Sequence, residues 1–249
     1  MIHNNKEVLD YWNKEDVESM YDKNLINSEI ELILKRITRN SKILDAGCGE
    51  GEGTIIYSKI PGSAVHAVDF SETRLKKAAK RLRNKNNVIL KQVDFLGKYE
   101  LDTNYDFIVS QRFLINLMEW KLQKKVLADL MGMLKKGGKL LILEGSINGV
   151  KELNDFRKIY SLDPIPVKWH NLFFKDKELV NFMASKKFKL LEEDGLGEYF
   201  LLTRGIRPAF DSKLNWNSKF NKIAASNDIK LMLSLGSRFS RLKLWVFSK

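Results

Sequence analysis

From Lys42 onward, short runs of β-branched and apolar residues alternate with longer stretches of helical spacing, and this alternation limits the fold more than any other feature of the chain. SKILDAG, SAVHAVDF, NVILKQVDF, YDFIVSQ and KLLILEG read as strands. GEGTIIYSKI, SETRLKKAAKRLRNK and EWKLQKKVLADLMGMLKKGG, the last closed by glycines, read as the helices between them. Parallel strands need crossovers of this length, so the pattern predicts a doubly wound α/β fold with a mostly parallel sheet, helices on both faces and right-handed connections.

The flanking segments are less regular. In the first forty residues Ile26, Ile30, Ile33, Leu34 and Ile37 share one helical face, which predicts a helical cap over 1–40. Beyond Gly145, VKELNDFRKIYS and KDKELVNFMASKK read as helices, and LDPIPVKWHNLFF between them is an extended stretch holding two of the four prolines. FKLLEEDG, EYFLLTR and the final RLKLWVFSK read as strands, with a polar stretch after Arg207. No repeat or Pro/Gly/Ser linker divides the chain. The expectation is one domain over 41–249, with insertions at about 146–187 and 205–240 that serve the acceptor.

A chain of 249 residues buries a sizeable core without disulfide or metal staples. No apolar run reaches the roughly 20 residues of a membrane-spanning helix. MIHNNKEVLDYWNKEDVE is charged where a signal peptide is apolar, and the one cysteine, Cys48, has no partner in the chain, so a reducing cytoplasm is the expected compartment. The net charge of +12 favours acidic partners such as nucleic acid, phosphorylated metabolites or anionic lipid headgroups. Its densest run, Arg74, Lys76, Lys77, Lys80, Arg81, Arg83 and Lys85, is expected to form a solvated helix face.

The strand ending at Asp45 runs into Gly47, Gly49, Gly51 and Gly53 before a helix, a loop whose backbone can turn sharply and approach a ligand. A dinucleotide fingerprint needs glycine at its first, third and sixth positions, and the sixth position here is Glu52 or Thr54. Asp45, Glu50 and Glu52 also oppose a doubly anionic pyrophosphate, so the expected ligand has no phosphate.

This loop resembles the first motif of the class I S-adenosylmethionine-dependent methyltransferases, an acidic residue followed by GxGxG. The resemblance implies a seven-stranded sheet and S-adenosylmethionine as cofactor, with S-adenosylhomocysteine as product. It assigns Asp45, Gly47, Cys48, Gly49 and Gly51 to the cofactor loop, where the cationic sulfonium and ammonium groups suit Asp45. Asp69 matches the residue that takes both ribose hydroxyls, with Phe70 against the adenine. Asp94 and Phe95 match the residues that read the adenine edge, and Ser110, Gln111 and Arg112 end the fourth strand beside the methionine portion. Four stations in order lie between Ile43 and Ile142. Cys48 is read as a small loop residue and not as a nucleophile.

Missing motifs narrow the acceptor. SQRFLIN replaces the Asn/Asp-Pro-Pro-aromatic motif of amino methyltransferases of DNA bases, and no Pro-Cys of the cytosine C5 type is present. Metal-dependent catechol-type enzymes have aspartate where Ser110 stands, and Asp106 lies at the other end of that strand, so no metal is expected. His170, flanked by Trp169 and Asn171, is the candidate general base because its ordinary pKa, about 6.5, suits proton removal near neutrality. His3 and His66 carry no such case. Arg112, Arg204 and Arg207 are candidates for holding an anionic acceptor by paired hydrogen bonds. Glu144, Asn171 and Tyr199 are expected to face the acceptor. Tyr21, with Tyr11 and Trp12, is expected to close over the cofactor or acceptor.

IPVKWHNLFF, EYFLLTR and LKLWVFSK also resemble a bacterial subgroup linked to surface polysaccharides, including methyltransferases associated with O-methyl phosphoramidate groups of capsules. The leading reading is therefore a small-molecule O-methyltransferase with an anionic or sugar-like acceptor, a phosphoramidate or glycan precursor. An RNA-modifying enzyme and a catalytically silent cofactor-binding partner are the alternatives. The sequence sets no oligomeric state.

Overall fold

Strands with apolar residues on both faces must be covered on both, and the computed structural model shows two cores separated by one sheet. It describes residues 5–17, 21–211, 213 and 215–249, so His3 lies outside the described residues. The elements begin with α1 (Asn5–Trp12), α2 (Lys23–Leu34), β1 (Lys42–Ala46), α3 (Thr54–Tyr57), β2 (Ala64–Asp69), α4 (Glu72–Leu82), β3 (Val88–Gln92) and β4 (Tyr105–Gln111). They continue with α5 (Trp120–Met133), β5 (Leu134–Gly145), α6 (Ile147–Ile159), α7 (Asp176–Ser185), β6 (Lys189–Gly195), α8 (Gly197–Phe200), α9 (Lys219–Ala224), α10 (Asn227–Leu233) and β7 (Leu242–Ser248).

The seven strands lie in the order β3-β2-β1-β4-β5-β7-β6. β1 to β5 are mutually parallel, and β7 inserts antiparallel between β5 and β6, with Gly145 opposite Leu242. Alternate residues of a strand face opposite ways. Accordingly Ile108, Leu140, Ile142, Trp245 and Phe247 pack into one core, and Phe107, Val109, Leu141, Leu143, Leu244 and Val246 into the other. The strand order reverses between β1 and β4, so the crevice beyond their C-terminal ends is where an open α/β sheet receives ligands.

Three expectations are corrected. The N-terminal segment is not uniformly a cap: Leu25, Ile26, Ile30 and Ile33 of α2 are buried in the second core with Ile43 and Val65, whereas α1 lies over the crevice. EYFLLTR is not a strand: Gly197–Phe200 is helical and Leu201–Ile206 continues as a π-helix. A short apolar run has no period that separates a strand from a buried helix. Here Glu198 accepts the backbone N–H groups of Leu235 and Gly236, and Tyr199 and Phe200 enter the second core. Finally, the helix expected after the glycine loop is reduced to Thr54–Tyr57.

Candidate functional site

The glycine loop is tied to the next strand before it meets any ligand. Gly47 and Cys48 donate their N–H groups to Val68 O at 2.8 and 2.9 Å, and Gly51 N donates to Cys48 O at 3.0 Å. Gly47 has φ +73°, and a Cβ there would fall 2.4 Å from Phe113 Cβ. At Gly49, φ +56°, nothing lies within 4 Å of a Cβ position, which leaves open space where a side chain would project into the cavity. Gly51 does a different job from the one expected: it is off the cavity wall, and its bare Cα lets Ala78 and Leu82 of α4 pack close.

A cavity of about 370 Å³ opens at the C-terminal edge of the sheet. Asp45, Cys48, Asp69, Phe70, Asp94 and Phe95 line its β1–β3 side. Asp45 is buried and accepts the Thr54 hydroxyl at 2.6 Å. Burial, with the nearby Asp69 and Glu52 charges, pushes its carboxyl up to about 7. Asp69 accepts Gly49 N through Oδ2 and Ser71 N through Oδ1, both at 2.9 Å, while burial raises its carboxyl. Each oxygen of a carboxylate has a second lone pair, so both remain able to accept ligand hydroxyls. Asp94 accepts Leu96 N at 2.8 Å, and Phe95 packs with Phe113 at 5.3 Å between centroids. Burial pushes the Cys48 thiol up, away from the thiolate a nucleophile requires.

The basic run on α4 is not a solvated face throughout. Arg74 is 5% exposed, reaches Glu50 at 3.3 Å and lies 4.6 Å over the Trp12 ring. Lys77 also reaches Glu50 at 3.1 Å, and Arg81 reaches Glu52 at 3.1 Å. The charges of Glu50 and Glu52 are therefore met from within the protein, and Asp45 and Asp69 carry the acidity offered to a ligand.

On the β4–β7 side the wall includes Gln111, Arg112, Asn171, His170, Arg204 and Arg241. Arg112 has φ +51°, a left-handed conformation that costs a non-glycine residue roughly 1–2 kcal/mol. Its Nε lies 3.1 Å from Glu29 Oε2, which also accepts Gln111 Nε2 at 2.7 Å. Arg204, set by the π-helix, pairs with Asp22 at 2.6 Å and lies 4.2 Å over the Trp216 ring. His170 is 3% exposed, stacks on Tyr11 at 4.7 Å and meets Trp12 and Trp169 edge-on. Its Nδ1 has no hydrogen-bond partner among the described residues, and burial together with Lys168 pushes the ring down to about 4. Tyr21 lies at the exposed rim.

Three residues expected at the ligand lie behind the wall. Ser110 and Glu144 are fully buried against each other: Glu144 accepts Ser110 Oγ at 2.6 Å, Phe113 N and Leu114 N at 2.9 Å and Ile115 N at 3.3 Å. Glu144 thus fixes the loop after β4, because the donors all converge on its carboxylate. Tyr199 donates to Asp22 at 2.8 Å and supports the Arg204 pair. Arg207 is also away from the cavity, donating to Asn215 O, Asn221, Asp211 and Lys213 O to hold its own loop. Asp22, Glu29 and Arg241 were not singled out in the sequence. Lone charged residues in irregular segments give no spacing signal.

Residues 43–138 match the methyltransferase domain family. Demethylmenaquinone methyltransferase of Staphylococcus carnosus is 27% identical over 199 residues, covering 76% of this chain and 81% of the relative. Among solved structures, Haemonchus contortus phosphoethanolamine N-methyltransferase 1, with phosphoethanolamine and S-adenosylhomocysteine, has a TM-score of 0.64 at 15% identity, covering 98% of this chain and 47% of that one. Geranyl diphosphate C-methyltransferase of Streptomyces coelicolor A3(2) has a TM-score of 0.62 at 15% identity, covering 98% and 97%. At these identities the structural likeness concerns the fold. Among the described residues no helix is long and apolar enough to cross a membrane.

Proposed function

We propose that this class I S-adenosylmethionine-dependent methyltransferase methylates an oxygen of a small acceptor that carries an anionic or sugar-like group. One observation carries the reading: Asp45, Asp69 and Asp94 stand on the β1–β3 side of the cavity, and Arg241, with no carboxylate partner among the described residues, stands on the β4–β7 side beside Arg112 and Arg204, which are paired with Glu29 and Asp22. The acidic half suits a cationic cofactor and the basic half an anionic acceptor. When bound, S-adenosylmethionine supplies an electrophilic methyl group on a sulfonium.

The chain's own residues supply position and enclosure. Asp45 complements the cofactor's positive charge, Asp69 offers its spare lone pairs to the ribose hydroxyls, and the open space at Gly49 admits the ligand to the backbone. Tyr11, Trp12 and His170 form an aromatic cover that excludes water from the junction of the two halves. His170 lines the cavity and is neutral at physiological pH, so it is the group proposed to take a hydroxyl proton as the new bond forms; with its ring pushed down to about 4 it is a weaker base than the ordinary pKa of about 6.5 expected from the sequence. An acceptor oxygen that is already anionic needs no such base.

A capsular phosphoramidate or glycan precursor is one acceptor of this description, supported by the sequence resemblance and the arginines alone. A second reading is methyl transfer to a quinone, because the curated relative acts on demethylmenaquinone by name and the cavity has an extensive apolar lining. An RNA substrate is less favoured, since Arg74, Lys77 and Arg81 of the basic run are engaged with Glu50 and Glu52.

Incubation with methyl-tritiated S-adenosylmethionine and three acceptor pools separates these readings. The expected result is label in the pool of phosphorylated and phosphoramidate sugars, with none in demethylmenaquinone or tRNA. Label confined to demethylmenaquinone overturns the proposal in favour of the quinone reading.

A further inference from the structure

Two of the three guanidinium groups on the β4–β7 wall are already matched by carboxylates, Arg112 by Glu29 and Arg204 by Asp22. The third, Arg241, lines the same cavity and has no carboxylate partner among the described residues. Its guanidinium lies over the Phe173 ring, with Cζ 5.5 Å from the centroid. Charged side chains are seldom taken out of bulk water without a partner, because desolvation removes hydration that nothing replaces. Burial and repulsion from Arg204 and Arg112 bring the group down to about 10, still protonated at neutral pH.

The backbone fixes where this charge stands. Arg241 precedes β7, its carbonyl accepts Ser146 N at 3.0 Å, and Leu242 pairs with Gly145 at the C-terminal end of β5. β7 is three places from β1 in the sheet order, roughly 14 Å at the usual strand spacing. The glycine loop and the carboxylates Asp45, Asp69 and Asp94 belong to β1, β2 and β3, on the other half of the crevice. The position is thus removed from the groups that receive a cofactor. Phe173, Phe200 and Leu242 form apolar wall around the same part of the cavity lining.

We propose that Arg241 is the acceptor's anion anchor: the acceptor carries an oxyanion, a carboxylate or phosphate ester, which pairs with Arg241 beside Arg204, and an apolar portion that covers Phe173, Phe200 and Leu242. This rests on the methyltransferase reading of the site. It goes further by assigning the anionic group to one residue outside the matched domain and by making the acceptor amphiphilic. A planar guanidinium binds either oxyanion through paired hydrogen bonds.

The test is titration of the full chain, saturated with S-adenosylhomocysteine, with octyl phosphate, octanoate and octanol, followed by calorimetry. The expected result is that at least one of the two anions binds ten-fold or more tightly than octanol. Arg241→Gln removes that preference, Arg241→Lys keeps part of it, and S-adenosylhomocysteine affinity stays within three-fold in both variants. Which anion is preferred distinguishes a carboxylate from a phosphate ester. Equal or absent binding of anions and alcohol by the parent, or an undiminished preference in Arg241→Gln, overturns the inference and leaves the methyltransferase reading standing. A ten-fold loss of S-adenosylhomocysteine affinity in a folded Arg241→Gln protein also overturns it, because the guanidinium then serves the cofactor's own carboxylate. A parent that binds no S-adenosylhomocysteine overturns both. Thermal melting of each variant separates loss of the site from loss of the fold.

Discussion

Thr54 donates its hydroxyl to Asp45 across the base of the glycine loop, 2.6 Å from Oγ1 to Oδ2, and this bond holds a buried carboxylate that the protein alone ionises with difficulty. A cation bound nearby favours the ionised form and lowers the pKa in the complex. S-adenosylmethionine affinity is therefore expected to be highest above about pH 7, the value to which Asp45 is pushed, and to weaken by up to about ten-fold per pH unit below it. Thr54→Val removes the donor and moves the profile to higher pH. Calorimetric titration from pH 5.5 to 8.5 checks both, and a flat profile contradicts the assignment.

The same carboxylate acts on stability with the opposite sign. Its folded pKa, about 7, lies above its unfolded value, so its contribution is fully present at low pH and is lost as pH rises from about 4 through 7. Asp45→Asn escapes that penalty. At pH 8 the unliganded variant is expected to be about 1–4 kcal/mol more stable than the parent while losing most of its cofactor affinity. Urea unfolding at pH 5 and pH 8 checks it, since the gain must be larger at the higher pH.

Glu144 holds four donors that have no alternative acceptor once it is gone. Glu144→Ala is expected to cost about 3 kcal/mol or more, since each buried donor left unsatisfied costs about 1–3 kcal/mol. A loss below about 1 kcal/mol in urea unfolding would show that water or a rearranged loop replaces the carboxylate.

His170 titrates too low to shape the rate near neutrality, because its ring is pushed down to about 4. At saturating cofactor, His170→Ala is expected to lower turnover by about 10² or more with cofactor affinity nearly unchanged. The two pH profiles should have the same shape between pH 5.5 and 8. His170→Phe preserves the stacking on Tyr11 and should not restore the rate. Recovery of the rate in the phenylalanine variant assigns the residue to packing.

Trp12 joins α1 to the cofactor half through Arg74, whose guanidinium lies 4.6 Å from its ring, and to the acceptor half through Asn116, which accepts Nε1 at 3.0 Å. Trp12→Ala removes an indole from the cavity lining and is expected to weaken S-adenosylhomocysteine binding by about 10-fold or more, since burial of a large apolar side chain contributes about 1.5–3 kcal/mol. Stopped-flow fluorescence should place most of the loss in the dissociation rate.

The parts legible in the sequence are those governed by regular period. β1 to β5 are legible because buried parallel strands and the amphipathic crossovers α4 and α5 each have a recognisable spacing, and Asp45, Asp69 and Asp94 stand at or just past the strand ends that this spacing locates. Tyr199 was misplaced because GEYFLL is apolar without a clear period, so its helix is settled by contacts with Asp22 and the second core. Arg74 looked solvated in a run of lysines and arginines, and only the fold brings Glu50 and Trp12 to it. Arg241 had no signal at all. It reaches the cavity because β7 enters antiparallel, which starts the strand at the C-terminal edge of the sheet.

That antiparallel entry also sets the order in which the protein can become competent. Trp12 of α1 and Arg241 before β7 face the same cavity although nearly the whole described chain separates them. During vectorial synthesis the domain over 43–138 emerges early, and β7, which follows Arg241 and lies between β5 and β6, emerges long after it. A ribosome-bound chain can therefore possess the cofactor loop while the wall that holds Arg241 is still missing.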